Sequence, residues 1–334
     1  VKIAIRVPNW IGDSILSFPT IQSISQNFPQ SEIWIIAKEW VKDLFLTLEN
    51  IKGILTLPHK TDFKNSRIAS RKIKEHEFDL GFLLTNSFSS ALLFFLAKIP
   101  ERWGYATDGR AILLTRAVSP KNLEKTHHQL HYYLNLLSAL GLHPITPSLH
   151  FPLPQEQKMR AEEALISMGA DLSKPLIVLN PGAAYGSSKR WPAERFAEVA
   201  KMFEKCFSAE ILIIGSEQEK ELSSFISSLL PKKPLNFAGQ TDLLLLAGLI
   251  SHASLFVTND SGSMHLANSL KIPVVAIFGP TNPEVTGPFQ KPAKVIRHEV
   301  ACSPCSYREC PFEHQCMKLI SVEEVFAAGE EFLR

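Results

Sequence analysis

Short apolar runs alternate with amphipathic stretches along most of the chain. Positions 2–7 read as a buried strand, followed by a Pro/Asn/Gly/Asp turn and a helix over 14–27. Further strands are expected at 32–37, 53–57 and 79–84, with helices over 66–76 and 87–98. The run 79–84 is mostly apolar, as a strand covered on both faces should be. Strands separated by helices imply a parallel sheet joined by crossovers. A helix over 127–140 stops at Gly141, and prolines 144, 147, 152 and 154 then exclude any regular element.

The alternation restarts beyond that stretch. Strands are expected at 175–179, 211–214, 235–238, 255–258 and 273–278. Helices are expected over 155–168, 192–206, 217–229, 243–251, 262–270 and 321–332. The pattern predicts an α/β protein of two Rossmann-like, doubly wound halves facing a central cleft, joined by a proline-rich hinge. The first half would span 1–150 and the second 151–320. Ligands in such sheets sit beyond the carboxyl ends of the strands, so the turns that follow strands carry the candidate chemistry.

Composition narrows the class. The chain has 334 residues, 45% of them hydrophobic, which suffices for two cores. Its 35 basic and 33 acidic residues leave a net charge of +2, unlike the strongly basic balance of most nucleic-acid binders. No apolar stretch reaches the roughly 18 residues that a membrane span needs. The start Val1-Lys2-Ile3-Ala4-Ile5 alternates like a strand and not like a signal peptide. Of 5 cysteines, Cys302, Cys305, Cys310 and Cys316 crowd one window. This suits a cytosolic protein with one special loop better than a disulfide scaffold. Cys206 falls in a helix and is expected in the core.

Three turns stand out. In Pro8-Asn9-Trp10-Ile11-Gly12-Asp13-Ser14, Asp13 opens a helix. It is either an N-cap or a general base for a sugar hydroxyl. The second turn, 180–192, carries Gly186, Ser188, Lys189 and Arg190, which suit an anion such as phosphate, although the P-loop spacing is absent. In the third, Thr258-Asn-Asp260-Ser261-Gly262-Ser263-Met264-His265, amides at Ser261, Gly262 and Ser263 would meet a phosphate. Asp260 would accept sugar hydroxyls or cap the helix, and His265, one turn in, would be a satisfied buried histidine. Thr281, after the next strand, could bond the same phosphates. Two phosphate-friendly turns and one acidic turn suggest a nucleotide-sugar transferase.

These residues, in this order, resemble the bacterial lipopolysaccharide heptosyltransferases, glycosyltransferase family nine. The resemblance rests on Trp10-Ile-Gly-Asp13, Asn180-Pro-Gly-Ala with Lys189-Arg-Trp-Pro192, Asn259-Asp-Ser-Gly-Ser-Met-His265 with Ala267, and Gly279-Pro-Thr281. It runs nearly end to end. The Cys-x2-Cys-x4-Cys-Pro segment and Lys189-Arg-Trp-Pro are most like the branch that adds the second heptose of the inner core. The resemblance implies a GT-B fold, with the last helix, 321–334, packing back on the first domain. It implies an inverting transfer from ADP-L-glycero-D-manno-heptose that needs no catalytic cofactor. Asp13 would be the base and Lys189 the stabiliser of the leaving diphosphate. Asp260 would hold the heptose, Ser261 and Gly262 the phosphates, and His265 would support that turn. Glu217 would bind the ribose, with Glu219 a competitor, and Leu243 and Leu244 would border the adenine. The acceptor would be the lipid A–inner core at the cytoplasmic face of the inner membrane, with the enzyme cytoplasmic and peripheral.

Within 60–74, six cations (Lys60, Lys64, Arg67, Arg71, Lys72, Lys74) oppose Asp62. They form either a solvated face or a docking surface for that anionic acceptor. The four clustered cysteines could ligate a structural zinc, with His314 a rival ligand, or could be a reduced, packed loop or a local disulfide. Two other functions remain open on the residues alone: a nucleotide-sugar epimerase of similar architecture, and a zinc-loop nucleic-acid-binding protein, which the charge disfavours.

Overall fold

The first apolar runs form β1 (Lys2–Arg6), β2 (Glu32–Lys38), β3 (Ile51–Leu57) and β4 (Leu80–Leu83). Ile3, Ile5, Ile35 and Phe82 are shut off from water, each contributing about 1.5–3 kcal/mol by burial. The computed structural model describes residues 1–59, 63–120 and 127–334. It adds β5 (Glu101–Tyr105) and β6 (Arg116–Val118), two strands that the hydropathy pattern missed. Both carry arginine or glutamate and lie toward one edge of the sheet, so neither shows a clean apolar run. Pairing is parallel throughout, in the order β3-β2-β1-β4-β5-β6.

The expected helix 14–27 is two helices, α1 (Ile11–Leu16) and α2 (Phe18–Asn27). The Ser17 hydroxyl bonds the Ser14 carbonyl at 2.7 Å, and Pro19, lacking an N–H, opens a new helix instead of continuing the old one. α3 (Phe63–Lys74) buries Ala69 and Ile73 and packs on α4 (Phe88–Leu96). α5 (Gln129–Ala139) packs on α1 and α2.

The chain divides into two compact units, Val1–Pro152 and Leu153–Arg334. The second unit repeats the winding of the first. β7 (Leu176–Asn180), β8 (Glu210–Ile213) and β9 (Leu235–Asn236) run outward on one side. β10 (Leu255–Asn259), β11 (Val274–Ile277) and β12 (Ala293–Ile296) run outward on the other. The order is β12-β11-β10-β7-β8-β9, again all parallel. Strand direction in sequence therefore reverses between β1 and β4 in one sheet and between β7 and β10 in the other. At such a switch point two neighbouring turns diverge and leave a crevice.

α6 (Gln155–Ser167), α7 (Ala193–Phe207), α8 (Lys220–Ser228), α9 (Leu243–Ser251) and α10 (Gly262–Ser269) accompany this sheet. Short α11 (Pro283–Thr286) and α12 (Gln315–Lys318) precede the closing helix α13 (Val322–Leu333). The expectation placed α13 on the first domain. Instead it belongs to the second unit, against α7 and β10–β12. Its Val322, Val325 and Ala328 join that unit's core, and Gly329 lets the helix approach Phe203 and Leu255. Cys206 is also corrected: it lies exposed near the end of α7 and not in the core.

Candidate active site

The turns after β7 and β10 leave the sheet at the second switch point, and side chains tie them together. The Asn180 amide donates to Thr258 Oγ1 at 2.9 Å and to Ser261 Oγ and Ser263 Oγ at 2.8 Å. Asn259 reaches back the other way. Its amide nitrogen donates to the Pro181 carbonyl at 2.7 Å, and its Oδ1 accepts the Trp191 N–H at 3.0 Å. Lys189, closing a single 3-10 turn Ser187–Lys189, therefore meets Asp260, with Nζ to Oδ2 at 2.5 Å. The same oxygen accepts the Thr281 hydroxyl at 2.6 Å. Lys189 also lies over the Tyr185 ring, 4.8 Å from its centroid.

Asp260 is not a helix cap. Ser261 takes that place, accepting the Met264 N–H, and the Asp260 carboxylate, 6% exposed, is left for Lys189 and Thr281. Ser261 and Gly262 begin α10, where the first amides have no intrahelical acceptor and the helix end carries partial positive charge. His265 is buried in the first turn. The expected residues Lys189, Asp260, Ser261, Gly262 and Thr281 thus share one crevice edge. A lysine, a threonine hydroxyl and a helix start can hold phosphate oxygens, and the carboxylate can hold hydroxyls.

Other expected donor residues stand differently. Ser188 is already engaged: its N–H donates to the Arg308 carbonyl at 3.1 Å, its hydroxyl to the Tyr307 carbonyl, and its own carbonyl meets His314 Nε2 at 2.5 Å. Gly186 lies flush on the Arg308 backbone, where a Cβ would collide. These two hold the 302–316 loop in place. Glu219, the competitor of Glu217, is a capping residue: its Oε2 accepts the Ser216 N–H at 2.8 Å and hydroxyl at 2.9 Å. Glu217 faces solvent and pairs with Lys220 at 2.7 Å. Leu244 is half-buried in the first turn of α9, beside the Asp242 cap.

In the first unit the cap reading of Asp13 also fails. The cap position of α1 falls on Trp10, with no side-chain bond, and Asp13 lies in the first turn. Its Oδ1 accepts the Tyr133 hydroxyl of α5 at 3.3 Å. Burial, with the Asp13 charge second, pushes the Tyr133 phenol well above its ordinary value, so it stays a donor. A carboxylate steadied by one buried hydroxyl at a strand-to-helix turn can accept a proton. Tyr133 lies 120 residues away and had no local signal in the sequence.

Cys302, Cys305, Cys310 and Cys316 are free thiols around one cavity of about 450 Å³, with Ser188 and His314 also in its wall. Burial first, then the neighbouring cysteines, pushes the Cys316 thiol up. Among the described residues no three His, Cys, Asp or Glu side chains are arranged to hold a metal ion. Trp191 and Arg195 anchor the far end of the segment by donating to the Ile320 carbonyl. Arg67 and Arg71 lie exposed on α3, opposite its buried face. Lys60 and the side chain of Lys64 lie outside the described residues. No helix among the described residues is long and apolar enough to cross a membrane.

Comparison with known proteins gives the family and the fold. The model of glycosyltransferase family 9 (heptosyltransferase) matches residues 67–316. The lipooligosaccharide heptosyltransferase 2 of Campylobacter jejuni serotype O:6 is 32% identical over 332 residues, 97% of this chain and 97% of that protein. The crystal structure of a family 9 glycosyl transferase from Veillonella parvula superposes with a TM-score of 0.91 at 26% identity, covering 99% of this chain and 97% of that one. The Escherichia coli ADP-heptose LPS heptosyltransferase II gives 0.84 at 26% identity, covering 100% and 98%. Two doubly wound sheets, a lysine–aspartate pair at a helix start and this likeness along nearly the whole length lead to one conclusion: the chain belongs to glycosyltransferase family 9, the heptosyltransferases.

Proposed function

We propose that this enzyme moves a heptose from ADP-L-glycero-D-manno-heptose to the inner core of lipopolysaccharide, adding the second heptose. The step is one inverting displacement. The acceptor hydroxyl oxygen bonds the anomeric carbon, its proton passes to Asp13, and the bond from that carbon to the diphosphate oxygen breaks. ADP departs with the electron pair. Lys189 and the Ser261–Gly262 helix start neutralise the charge that develops on it. Asp260 holds the heptose hydroxyls once Lys189 turns toward phosphate, and Thr281 bonds the same phosphates. Glu217 takes the ribose, and Leu244 borders the adenine.

The observation that carries this reading is the Lys189–Asp260–Thr281 cluster beside the start of α10. Support for the substrate comes from relatives named as heptosyltransferases 2. The acceptor is lipid-borne, so the enzyme works peripherally at the cytoplasmic face of the inner membrane. Exposed Arg67 and Arg71 on α3 supply attraction to its anionic groups. Reversing both to glutamate should raise acceptor KM and flatten its salt dependence while ADP affinity stays constant.

One assay tests the reading: ADP-heptose with truncated acceptors carrying zero, one or two heptoses. Preference for the one-heptose acceptor is expected, and equal or greater transfer to the acceptor with none would overturn the assignment. Asp13→Asn should keep ADP binding and lose transfer by about 10²–10⁴-fold. Near-native turnover in that variant removes Asp13 as the base.

A further inference from the structure

Arg6 ends β1 and Lys38 ends β2. Arg6 pairs with Ile36, and Lys38 lies two residues further on, so both side chains leave the same face of the sheet at its carboxyl edge. Both are almost wholly buried, with 4% and 3% exposure. Arg6 donates to the Val7 carbonyl, to the Ile36 carbonyl at 3.2 Å and to Asn9 Oδ1 at 2.5 Å. Lys38 donates to the Pro58 carbonyl and to the His59 carbonyl at 3.1 Å, and lies over the Trp40 ring. Every one of these acceptors is neutral. Among the described residues neither cation has a carboxylate partner.

Two buried like charges with no carboxylate beside them among the described residues are unfavourable to fold around. Burial pushes the Arg6 guanidinium down to about 10 and lowers Lys38 as well, with the charge of Arg6 as its second cause. Both groups border a cavity of about 260 Å³, whose wall also includes Trp40, His59, Ser87 and Ser89. Ser87 caps α4, so the positive end of a nine-residue helix lies at the same cavity.

We propose that this cavity is a binding subsite for one anionic group, a phosphate or a carboxylate, with Lys38 and Arg6 as its counter-charges. The subsite is wired to the catalytic turn. Arg6 holds Asn9, the Asn9 carbonyl accepts the Trp40 indole N–H at 2.8 Å, and Asn9 lies four residues before Asp13. An anion seated there steadies the segment that delivers Asp13. That the anion belongs to the sugar acceptor rests on the transfer reading above; the anion subsite does not.

The test is equilibrium binding of inorganic phosphate to the full chain in saturating ADP, which occupies the Lys189 site, at constant ionic strength. Wild type should bind one phosphate, Lys38→Met should weaken it at least ten-fold, and Lys38→Arg should retain it. Unchanged ADP binding and melting temperature in Lys38→Met certify its fold. If that variant destabilises the protein, Lys38→Gln serves with the same criteria. No phosphate bound by wild type, or equal binding by both neutral variants, overturns the proposal. A second arm compares acceptors stripped of phosphate with acceptors whose carboxylates are reduced. The acceptor whose KM no longer responds to Lys38→Met has lost the group that the subsite reads. Phosphate binding that depends on Lys38, with no transfer to any acceptor, would sink the heptosyl reading and leave the subsite standing.

Discussion

A lysine held by a carboxylate before any phosphate arrives is a poised group, not a spent one. Lys189 is 11% exposed and already oriented by Asp260 and the Tyr185 face, so little reorganisation separates it from a diphosphate. Lys189→Met should lower kcat by about 10²–10³ and weaken ADP, measured by steady-state kinetics with a calorimetric ADP titration; an unchanged kcat would detach Lys189 from the leaving group. Tyr133 orients the Asp13 carboxylate by donating its hydroxyl to Oδ1 at 3.3 Å. Tyr133→Phe removes that donor and should lower kcat while ADP affinity stays constant, measured by steady-state kinetics with an ADP titration. An unchanged kcat assigns Tyr133 to packing alone. The candidate residues Asp13, Lys189, Asp260 and Thr281 carry local signals in the sequence, and the last three do lie together. Tyr133, Arg6 and Lys38 carry none, because their meaning comes from which strand end or helix lies beside them. Ser188 suggested an anion by the make-up of its turn, and Glu219 suggested the ribose through the family resemblance; Ser188 is bonded to Tyr307, Arg308 and His314, and Glu219 to the Ser216 N–H and hydroxyl.

Among elements, the closing helix shows most plainly what periodicity leaves open. Its amphipathic pattern announced α13 but not the surface it covers. The small Gly329 decides that: a Cβ there would lie 2.6 Å from Phe203 Cζ and 2.7 Å from Leu255 Cδ2. Gly329→Ala should cost about 1–3 kcal/mol by overpacking, read as a lower denaturation midpoint; a neutral result would mean the helix is looser than its contacts suggest. The start of the same helix is a capping box, with Ser321 accepting the Glu324 N–H at 3.2 Å and Glu324 accepting the Ser321 N–H at 2.8 Å. Ser321→Ala should lose about 1 kcal/mol. The Ser321 backbone N–H, ahead of the hydroxyl and His298, holds the Glu324 carboxyl below its ordinary value. A carboxyl lowered in the folded state stabilises above its unfolded value and loses that contribution as pH falls through the folded one. The stability that Glu324→Gln removes should accordingly shrink in acid, and a Glu324→Gln deficit constant down to pH 2 would contradict the capping account. β5, β6 and β12 escaped the hydropathy reading because they lie at or near a sheet edge and carry charge.

On the scale of the molecule, the same pattern of strand order occurs twice, and each unit has a core cluster of its own, with Ile36 and Phe94 in one and Leu179 and Val325 in the other. Repetition of βα units was readable along the chain because parallel strands buried on both faces leave strong apolar runs. Ligand linkage should respect the division. ADP at 100 times its Kd stabilises what it binds by about 2.7 kcal/mol. Hydrogen exchange should then slow in 176–192 and 255–265, with no matching change across β2 and β3. Equal protection of β2 and β3 would contradict a donor site built by the second unit. The Ser188 latch extends this from affinity to chemistry. All three polar groups of that residue are taken by a segment lying some 120 residues further along, whose thiols border the adjoining cavity. In the proposed donor site, the turn 180–192 therefore has a handle outside the nucleotide's own footprint. A thiol-directed fragment seated against Cys302 or Cys310 would loosen the grip on ADP without competing for its place, giving a covalent route to inhibition that raising substrate cannot relieve.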